Sequence, residues 1–351
     1  MSATYKSIKT DILRMIATSD LKPDSPLPTR KFFKDKYGVA VATVDRAIQE
    51  LQREGHLYGV QGKGTFVASR ATDNKARKIA LLLYDLQYAT HPFTGEMIRE
   101  IGETLQEKGL CLDILATGDV STFEQEVLDH SRYAGWIIGT HQIDRGIITR
   151  MLAENIPFVF AKNYLPGLKV NAVLFNFEKA GMLAAKHLAS LGHKKIALLS
   201  PKGPAIADEF ARGVRTICDK NGIDFPAANI FDVGYGAENI SDALPGLLGF
   251  TGVIAFGDEI AMEAIRLIQG NGKLVPADIS VVGCNDMPLA AFHTPKITTV
   301  RLPVRKLGRL AAQRLIDTME GKAVEDNIIL EPELIIREST KDFVGRRPQN
   351  L

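Results

Sequence analysis

Two periodicities divide this chain. Near the N-terminus apolar residues recur at helical spacing, and Ile8, Ile12, Leu13, Ile16 and Ala17 form one stripe. Three prolines, Pro23, Pro26 and Pro28, make the next stretch a loop. A short second helix from Thr29 is expected to bury Phe32, Phe33 and Tyr37 and to stop at Gly38. Thr43 begins a third stripe of Val44, Ala47, Ile48 and Leu51, with Arg46, Gln49 and Arg53 pointing elsewhere. After Gly55, His56–Val60 and Thr65–Ala68 read as two short strands around the tight turn Gln61-Gly62-Lys63-Gly64.

Beyond the polar stretch Ser69–Lys78 the pattern changes. Apolar runs at Ile79–Tyr84, Leu110–Leu115, Gly135–Ile138, Phe158–Phe160, Ala172–Phe175, Ile196–Ser200, Gly252–Phe256 and Ser280–Cys284 read as strands. Helical stripes such as Met97–Lys108, Lys179–Leu191 and Glu259–Gln269 lie between them. Strands alternating with helices predict an α/β fold with parallel sheets and binding sites at the strands' carboxyl ends. About 260 residues exceed one such sheet, so two lobes with a cleft are expected.

Composition narrows the function. The 351 residues are 45% hydrophobic, enough to bury the cores of two or three domains. No apolar run approaches the ~20 residues of a membrane helix, and Met1–Leu21 lacks the continuous apolar stretch of a signal peptide. A cytoplasmic protein with no membrane partner is therefore expected. Cys111, Cys218 and Cys284 are scattered and odd in number, which argues against disulfides or a zinc site. No metal and no cofactor are expected.

Charge is uneven. Up to Lys78 there are fifteen Lys/Arg against eight Asp/Glu, whereas the remainder carries 28 against 33. A basic head is either a solvated face or a nucleic-acid-binding module. Helix, helix, short turn, helix and hairpin is the layout of a winged helix-turn-helix, which reads the major groove with its third helix. Enzyme readings are poor. The glycines around Lys63 fail the phosphate-loop spacing, and no Gly-x-Ser-x-Gly or His-Glu-x-x-His motif occurs. His187 and His193, six apart, read as structural. An exported solute-binding protein or a sugar-processing enzyme using the same cleft is the alternative.

Two stretches carry a family resemblance. Leu27-Pro28-Thr29-Arg30-Lys31, Tyr37-Gly38-Val39, Thr43-Val44, Arg46-Ala47-Ile48, Glu54-Gly55 and Gln61-Gly62-Lys63-Gly64-Thr65-Phe66-Val67 resemble the GntR-type winged-helix domain. The body resembles the effector domain of LacI/GalR repressors, similar in turn to periplasmic binding proteins. Its landmarks are His91-Pro92-Phe93, Ala134-Gly135-Trp136-Ile137-Ile138, Leu191-Gly192-His193-Lys194-Lys195, Phe256-Gly257-Asp258, Pro276-Ala277-Asp278-Ile279-Ser280 and Arg337-Glu338-Ser339-Thr340. The combination resembles arabinose-utilisation repressors. It implies a winged helix-turn-helix at 1–69, a linker at 70–78, a two-lobed periplasmic-binding-protein-like domain at 79–340 and a tail at 341–351.

The resemblance also implies roles. In the head, Thr29, Arg30 and Lys31 at the second helix, Thr43 and Arg46 on the third, and Gln61, Gly62, Lys63, Gly64 and Thr65 in the wing would contact DNA. Small hydroxyls, cations and glycines suit phosphates, and the Arg46 fork suits a guanine edge. Val41 and Asp45 stand where relatives often carry arginine, so no contact is carried over to either. Tyr5 either touches a phosphate or staples the first helix.

In the body, Asp85, Phe93, Trp136, Lys162, Phe210, Asp258 and Asn285 would line an effector cleft, Trp136 serving equally well as core. Phe210 replaces an arginine common in sugar-binding relatives, and Lys162 an aspartate. The implied effector is a sugar or derivative, such as a pentose, deoxy sugar, sugar acid or sugar phosphate. The implied partners are pseudo-palindromic double-stranded operator DNA and a second copy of the chain. The implied role is bacterial transcriptional repression of a carbohydrate-utilisation operon.

Overall fold

A computed structural model describes residues 4–18, 21–22, 24–53, 56–60, 63–68, 78–84, 86–116, 132–140, 142–162, 164–165, 167–168, 170–234, 237, 239–322 and 327–343. The chain divides into two compact units, residues 1–79 with 129–134, and 80–128 with 135–351. The expected linker lies outside the described residues apart from Lys78.

In the first unit the three apolar stripes become helices α1 (Tyr5–Ala17), α2 (Arg30–Tyr37) and α3 (Val41–Arg53), followed by strands β1 (Leu57–Val60) and β2 (Gly64–Val67). Ile8, Ile12, Phe33, Val44, Ala47 and Leu51 are fully buried together. Phe33 faces this core while its neighbour Phe32 is 45% exposed, contrary to expectation. Consecutive helical residues point about 100° apart, so only one of the pair can face inward. Thr29 caps α2 by accepting from the Phe32 N–H, and Gly38 ends it at φ 63°. Strands β1 and β2 pair antiparallel from Leu57↔Val67 to Val60↔Gly64. The proline loop runs beside β2, where the Leu27 N–H donates to the Thr65 carbonyl and the Val67 N–H to that of Ser25. Asp11 ties α1 to α2, accepting from Lys36 Nζ at 2.6 Å and from the Tyr37 hydroxyl.

The second unit holds two six-stranded sheets. The remaining elements, in chain order, are β3 (Lys78–Leu83), α4 (Leu86–Thr90), α5 (Pro92–Gln106), β4 (Cys111–Ala116), β5 (Gly135–Ile138), α6 (Arg145–Ala153), β6 (Phe158–Lys162), β7 (Ala172–Phe175), α7 (Phe177–Ser190), β8 (Ile196–Ser200), α8 (Ala205–Lys220), β9 (Ile230–Asp232), α9 (Ile240–Leu247), β10 (Gly252–Ala255), α10 (Asp258–Gly270), β11 (Ser280–Asn285), α11 (Pro288–Phe292), β12 (Thr298–Arg301), α12 (Val304–Met319), β13 (Ile328–Leu330) and β14 (Glu333–Ile335). One lobe has strand order β13-β7-β6-β5-β3-β4, the other β14-β12-β11-β10-β8-β9. The registered pairs in both sheets are parallel except β12 with β14. Strands such as β5 and β8 are buried along their whole length, because helices cover both faces of a parallel sheet.

The chain crosses between the lobes three times, at Asn176, at Leu302–Pro303 and at Glu331–Pro332. The first and third crossings are bonded to each other. The Asn176 N–H donates to the Leu330 carbonyl and its side-chain amide to Glu331 Oε1, each at 3.0 Å. Helices α7 and α8 meet through Gly181 and Gly213, each lying against a carbonyl of the other helix. Lys341–Phe343, expected in the tail, are held on this second lobe: the Phe343 N–H donates to the Leu191 carbonyl, and its ring packs 5.6 Å from that of His193. His187 and His193 are buried, and their ring nitrogens meet Thr340, Thr251 and the Lys341 carbonyl, a structural role. No described helix is long and apolar enough to cross a membrane.

Candidate DNA-binding face and effector cleft

On α3, Val44, Ala47 and Ile48 turn inward, which leaves Ala42, Asp45, Arg46 and Gln49 along the opposite side. This side is the natural groove-facing surface of a helix-turn-helix. Arg46 is exposed on this side but already engaged within the head. Its guanidinium lies 4.2 Å from the centre of the Tyr5 ring, and its Nε is 3.9 Å from Glu50. Tyr5 therefore serves as a platform for an arginine within the head. Asp45 forms an ion pair with Arg30, the first residue of α2. The Thr29 oxygen is engaged as the cap, but its hydroxyl proton stays available to a phosphate. Lys31 is exposed, and Thr43 is half-buried.

In the wing, Lys63 and Gly64 are exposed and Thr65 is half-buried, whereas Gln61 and Gly62 lie outside the described residues. Gly64 has φ 116° in open space, a backbone setting that disfavours a side chain. Tyr58 stacks on Phe66 at 5.7 Å and donates to Asp24, which braces the strands beneath the turn.

A run of buried aromatic rings joins the two lobes of the second unit. Phe93, at the start of α5, begins a run that passes to Phe175, Phe177, Phe256 and Phe210 with successive centroid spacings of 6.0, 5.9, 5.7 and 5.3 Å. This run follows the Asn176 crossing from one lobe into the other. Lys162 ends β6 at φ 72° and places Nζ 5.4 Å from the centre of the Phe93 ring. A lysine in left-handed backbone is strained, and such strain concentrates at functional positions.

Two polar pairs span the lobes. His91 caps α5, its Nδ1 accepting from the Phe93 N–H, while Nε2 meets Glu259 in the first turn of α10. Burial pushes the Glu259 carboxyl up, but its hydrogen bond to His91 and the nearby positive charges hold it below its usual value. Tyr164 donates to Glu209 on α8 at 2.5 Å, and this bond together with burial pushes the phenol up to about 12. Gly257 lies between Glu259 and Asn285, since a Cβ there would stand 3.6 and 3.9 Å from their side chains. Asn285 and Asp286 both have positive φ, and Asp286 is clamped by Arg301 and Arg337.

Several expected cleft residues are placed elsewhere. Asp258 is fully buried, its two oxygens accepting from Thr299 Oγ1 and the Met287 N–H, each at 2.6 Å. Burial pushes its carboxyl up to about 7. It is an internal strut of its lobe, with no oxygen left facing the cleft. Trp136 is 2% exposed within β5, beside Phe158 of β6, and belongs to the core. Phe210 is fully buried and ends the aromatic run. Asp85 lies outside the described residues. Phe93 and Lys162 lie together next to His91, and Asn285 lies beside Gly257, while Glu259, Tyr164 and Glu209 were not among the expected residues and His91 was read as a landmark alone. Among the described residues no group of His, Cys, Asp and Glu could hold a metal ion.

Comparison with known proteins agrees with this architecture. Residues 4–67 match the bacterial regulatory proteins of the gntR family, and residues 185–340 match the periplasmic binding protein-like domain. The chain is 29% identical over 359 residues to an arabinose metabolism transcriptional repressor of Geobacillus stearothermophilus, covering 97% of this chain and 98% of the relative. The lac repressor dimer bound to operator and the anti-inducer ONPF has a TM-score of 0.68 at 25% identity, over 78% of this chain and 97% of that one. A LacI family regulator from Enterococcus faecium with bound ribose has a TM-score of 0.68 at 24% identity, over 76% and 100%.

Proposed function

We propose, for a chain that is a transcriptional regulator joining a GntR-type DNA-binding module to a periplasmic-binding-protein-like module, that a small sugar or sugar derivative held between its lobes sets its affinity for operator DNA. The observation that carries this reading is the meeting of the lobes around Phe93 and Lys162, with the pairs His91–Glu259 and Tyr164–Glu209 crossing the gap. An aromatic face suits the C–H side of a sugar ring, and convergent carboxylates and amides suit its hydroxyls. Lys162 adds attraction for a carboxylate or phosphate substituent. A ligand engaging both lobes biases their relative orientation by its differential affinity for the two states, and a coupling of about 1–3 kcal/mol is typical of such links.

In this reading two copies of the chain act together, because one winged helix reads a half-site and a pseudo-palindromic operator presents two. For sugar to release the repressor, the effector must favour the state with lower operator affinity. Thr29, Lys31 and Lys63 hold phosphates.

The test is a thermal-shift screen of the purified protein against neutral monosaccharides, deoxy sugars, sugar acids and sugar phosphates. Ligand at about a hundred times its Kd stabilises by about 2.7 kcal/mol, a readily visible shift. The expected result is a shift with one class, lost in Phe93→Ala, together with release of a selected operator duplex. Silence across all four classes, or turnover of the hit, would refute the reading.

A further inference from the structure

Asp45 occupies a place where a DNA-contacting helix has little use for an acid. It lies on the exposed line of α3 with Ala42, Arg46 and Gln49, and a carboxylate there is repelled by phosphates. The structure gives it a partner across fifteen residues of sequence: Arg30 donates through Nε to Asp45 Oδ1, joining the start of α2 to α3. Both side chains stay accessible, at 50% and 36% exposure. Among the described residues Arg30 has no other hydrogen-bond or ionic partner. A guanidinium is planar, so fixing Nε on a carboxylate fixes the direction of its Nη1–Nη2 edge. That edge is the fork that matches O6 and N7 of guanine.

Arg46 is engaged differently. Its guanidinium is spread over the Tyr5 ring with Glu50 nearby, which draws it toward α1.

We propose that Arg30 is the base-reading arginine of this head and that Asp45 is a positioning residue, holding the Arg30 fork toward a guanine in the major groove. The proposal rests on the DNA-binding reading above and adds the identity of the reader. Asp45 acts through Arg30 and contacts no base itself. The pair thereby accounts for an acid on the groove side: its charge is neutralised within the head, and its oxygen restricts an otherwise mobile side chain.

The test uses the full-length protein and a pool of randomised duplexes, with selection repeated for Arg30→Ala, Arg30→Lys, Asp45→Asn and Arg46→Ala. Circular dichroism checks that each variant is folded. Affinities are then measured for the selected duplex and for single-base-pair variants of it. Wild type is expected to prefer guanine at one position of each half-site by roughly ten- to a hundredfold. Arg30→Ala brings that preference close to unity and leaves the other positions selected. Arg30→Lys keeps most of the overall affinity but loses the same preference, since an ammonium has no fork. Asp45→Asn weakens preference at that position only, and adding it to Arg30→Ala costs nothing further.

Unchanged base preference in Arg30→Ala overturns the proposal, as does a change in Asp45→Asn at a different position from that of Arg30. A uniform loss of affinity across all duplexes also overturns it, because it would assign the pair to phosphates. A wild-type pool with no enriched motif would overturn the DNA-binding reading itself, a result separate from these.

Discussion

Two glycines set the spacing of α7 and α8, and Gly213→Ala tests how rigid that spacing is. A Cβ on Gly213 would stand 1.9 Å from the Glu178 carbonyl oxygen, and one on Gly181 would stand 2.0 Å from that of Phe210. Real Cβ contacts essentially never fall below 3.0 Å, so the helices must part by more than 1 Å to admit the methyl group. The obstacle is helical backbone, which cannot swing aside as a side chain would. Overpacking of this kind costs about 1–3 kcal/mol, and with backbone on both sides the upper part of that range or more applies. Alanine's better helix propensity returns about 1 kcal/mol. A net loss of about 2 kcal/mol is expected, which lowers the melting temperature of a unit this size by roughly 4–8 °C.

Thermal and denaturant melts followed by circular dichroism measure it. Gly102→Ala in α5 is the control, because its nearest neighbour would be Leu112 Cδ2 at 3.9 Å, ordinary contact. That change should leave stability equal or raise it by about 0.4–1 kcal/mol. Parting the helices would also displace Glu209 and Phe210 on α8, so ligand affinity should fall with stability. Gly213→Ala melting at or above wild type, while the control behaves as stated, would refute the close-packing argument.

Other expectations follow from buried or paired groups. The Lys36 and Tyr37 hydrogen bonds hold the Asp11 carboxyl well below the usual carboxylate range. Its contribution is therefore present at neutral pH and lost only as pH falls through that lowered value. Asp11→Ala should destabilise the head by about 1–3 kcal/mol in neutral-pH melts, and an unchanged melt would reject the anchor. Asp258 has the opposite sign. Its folded carboxyl is pushed up to about 7 from 3.8, so the native state keeps a proton that the unfolded chain has released. Stability from this group is full below about pH 4 and declines as pH rises to about 7. Asp258→Asn should flatten that slope in denaturant titrations across this window, and an identical slope would contradict it. Among the thiols, Cys111 is exposed, whereas burial pushes Cys218 up to about 11 and raises Cys284 as well. A disulfide reagent should react quickly with one thiol in the native protein and with three after unfolding.

The head was legible because its signals are local. Stripes at helical spacing, Gly38 as a stop and a glycine-rich turn specify three helices and a hairpin without reference to distant residues. The parallel sheets were equally visible, since strands buried on both faces read as continuous apolar runs. The cleft was less so. Placing Asp258 at a strand end suggested a ligand contact, but as the first residue of α10 it points back toward Thr299 on β12. Trp136 lies in a strand that is buried along its whole length. Glu259 with His91, and Tyr164 with Glu209, meet only because two lobes face each other, and no local spacing encodes that. The pairing of Arg30 with Asp45 belongs to the same class: two unremarkable charges joined by the angle between α2 and α3.

The three crossings have a consequence for how the chain is made. Strand β7 ends at Phe175, yet its neighbour β13 begins at Ile328, about 155 residues later. Likewise β12 waits for β14, whose residues follow α12 and β13. At bacterial synthesis rates of about 5–20 residues per second, the first lobe spends roughly 8–30 s with an unpaired sheet edge. The winged-helix unit needs no such wait, because its described strands are complete by Val67. A ribosome therefore releases a finished head long before the body can close. A chain stopped between Phe175 and Ile335 presents that head on a body with open strand edges, suited to aggregation and to capture by chaperones.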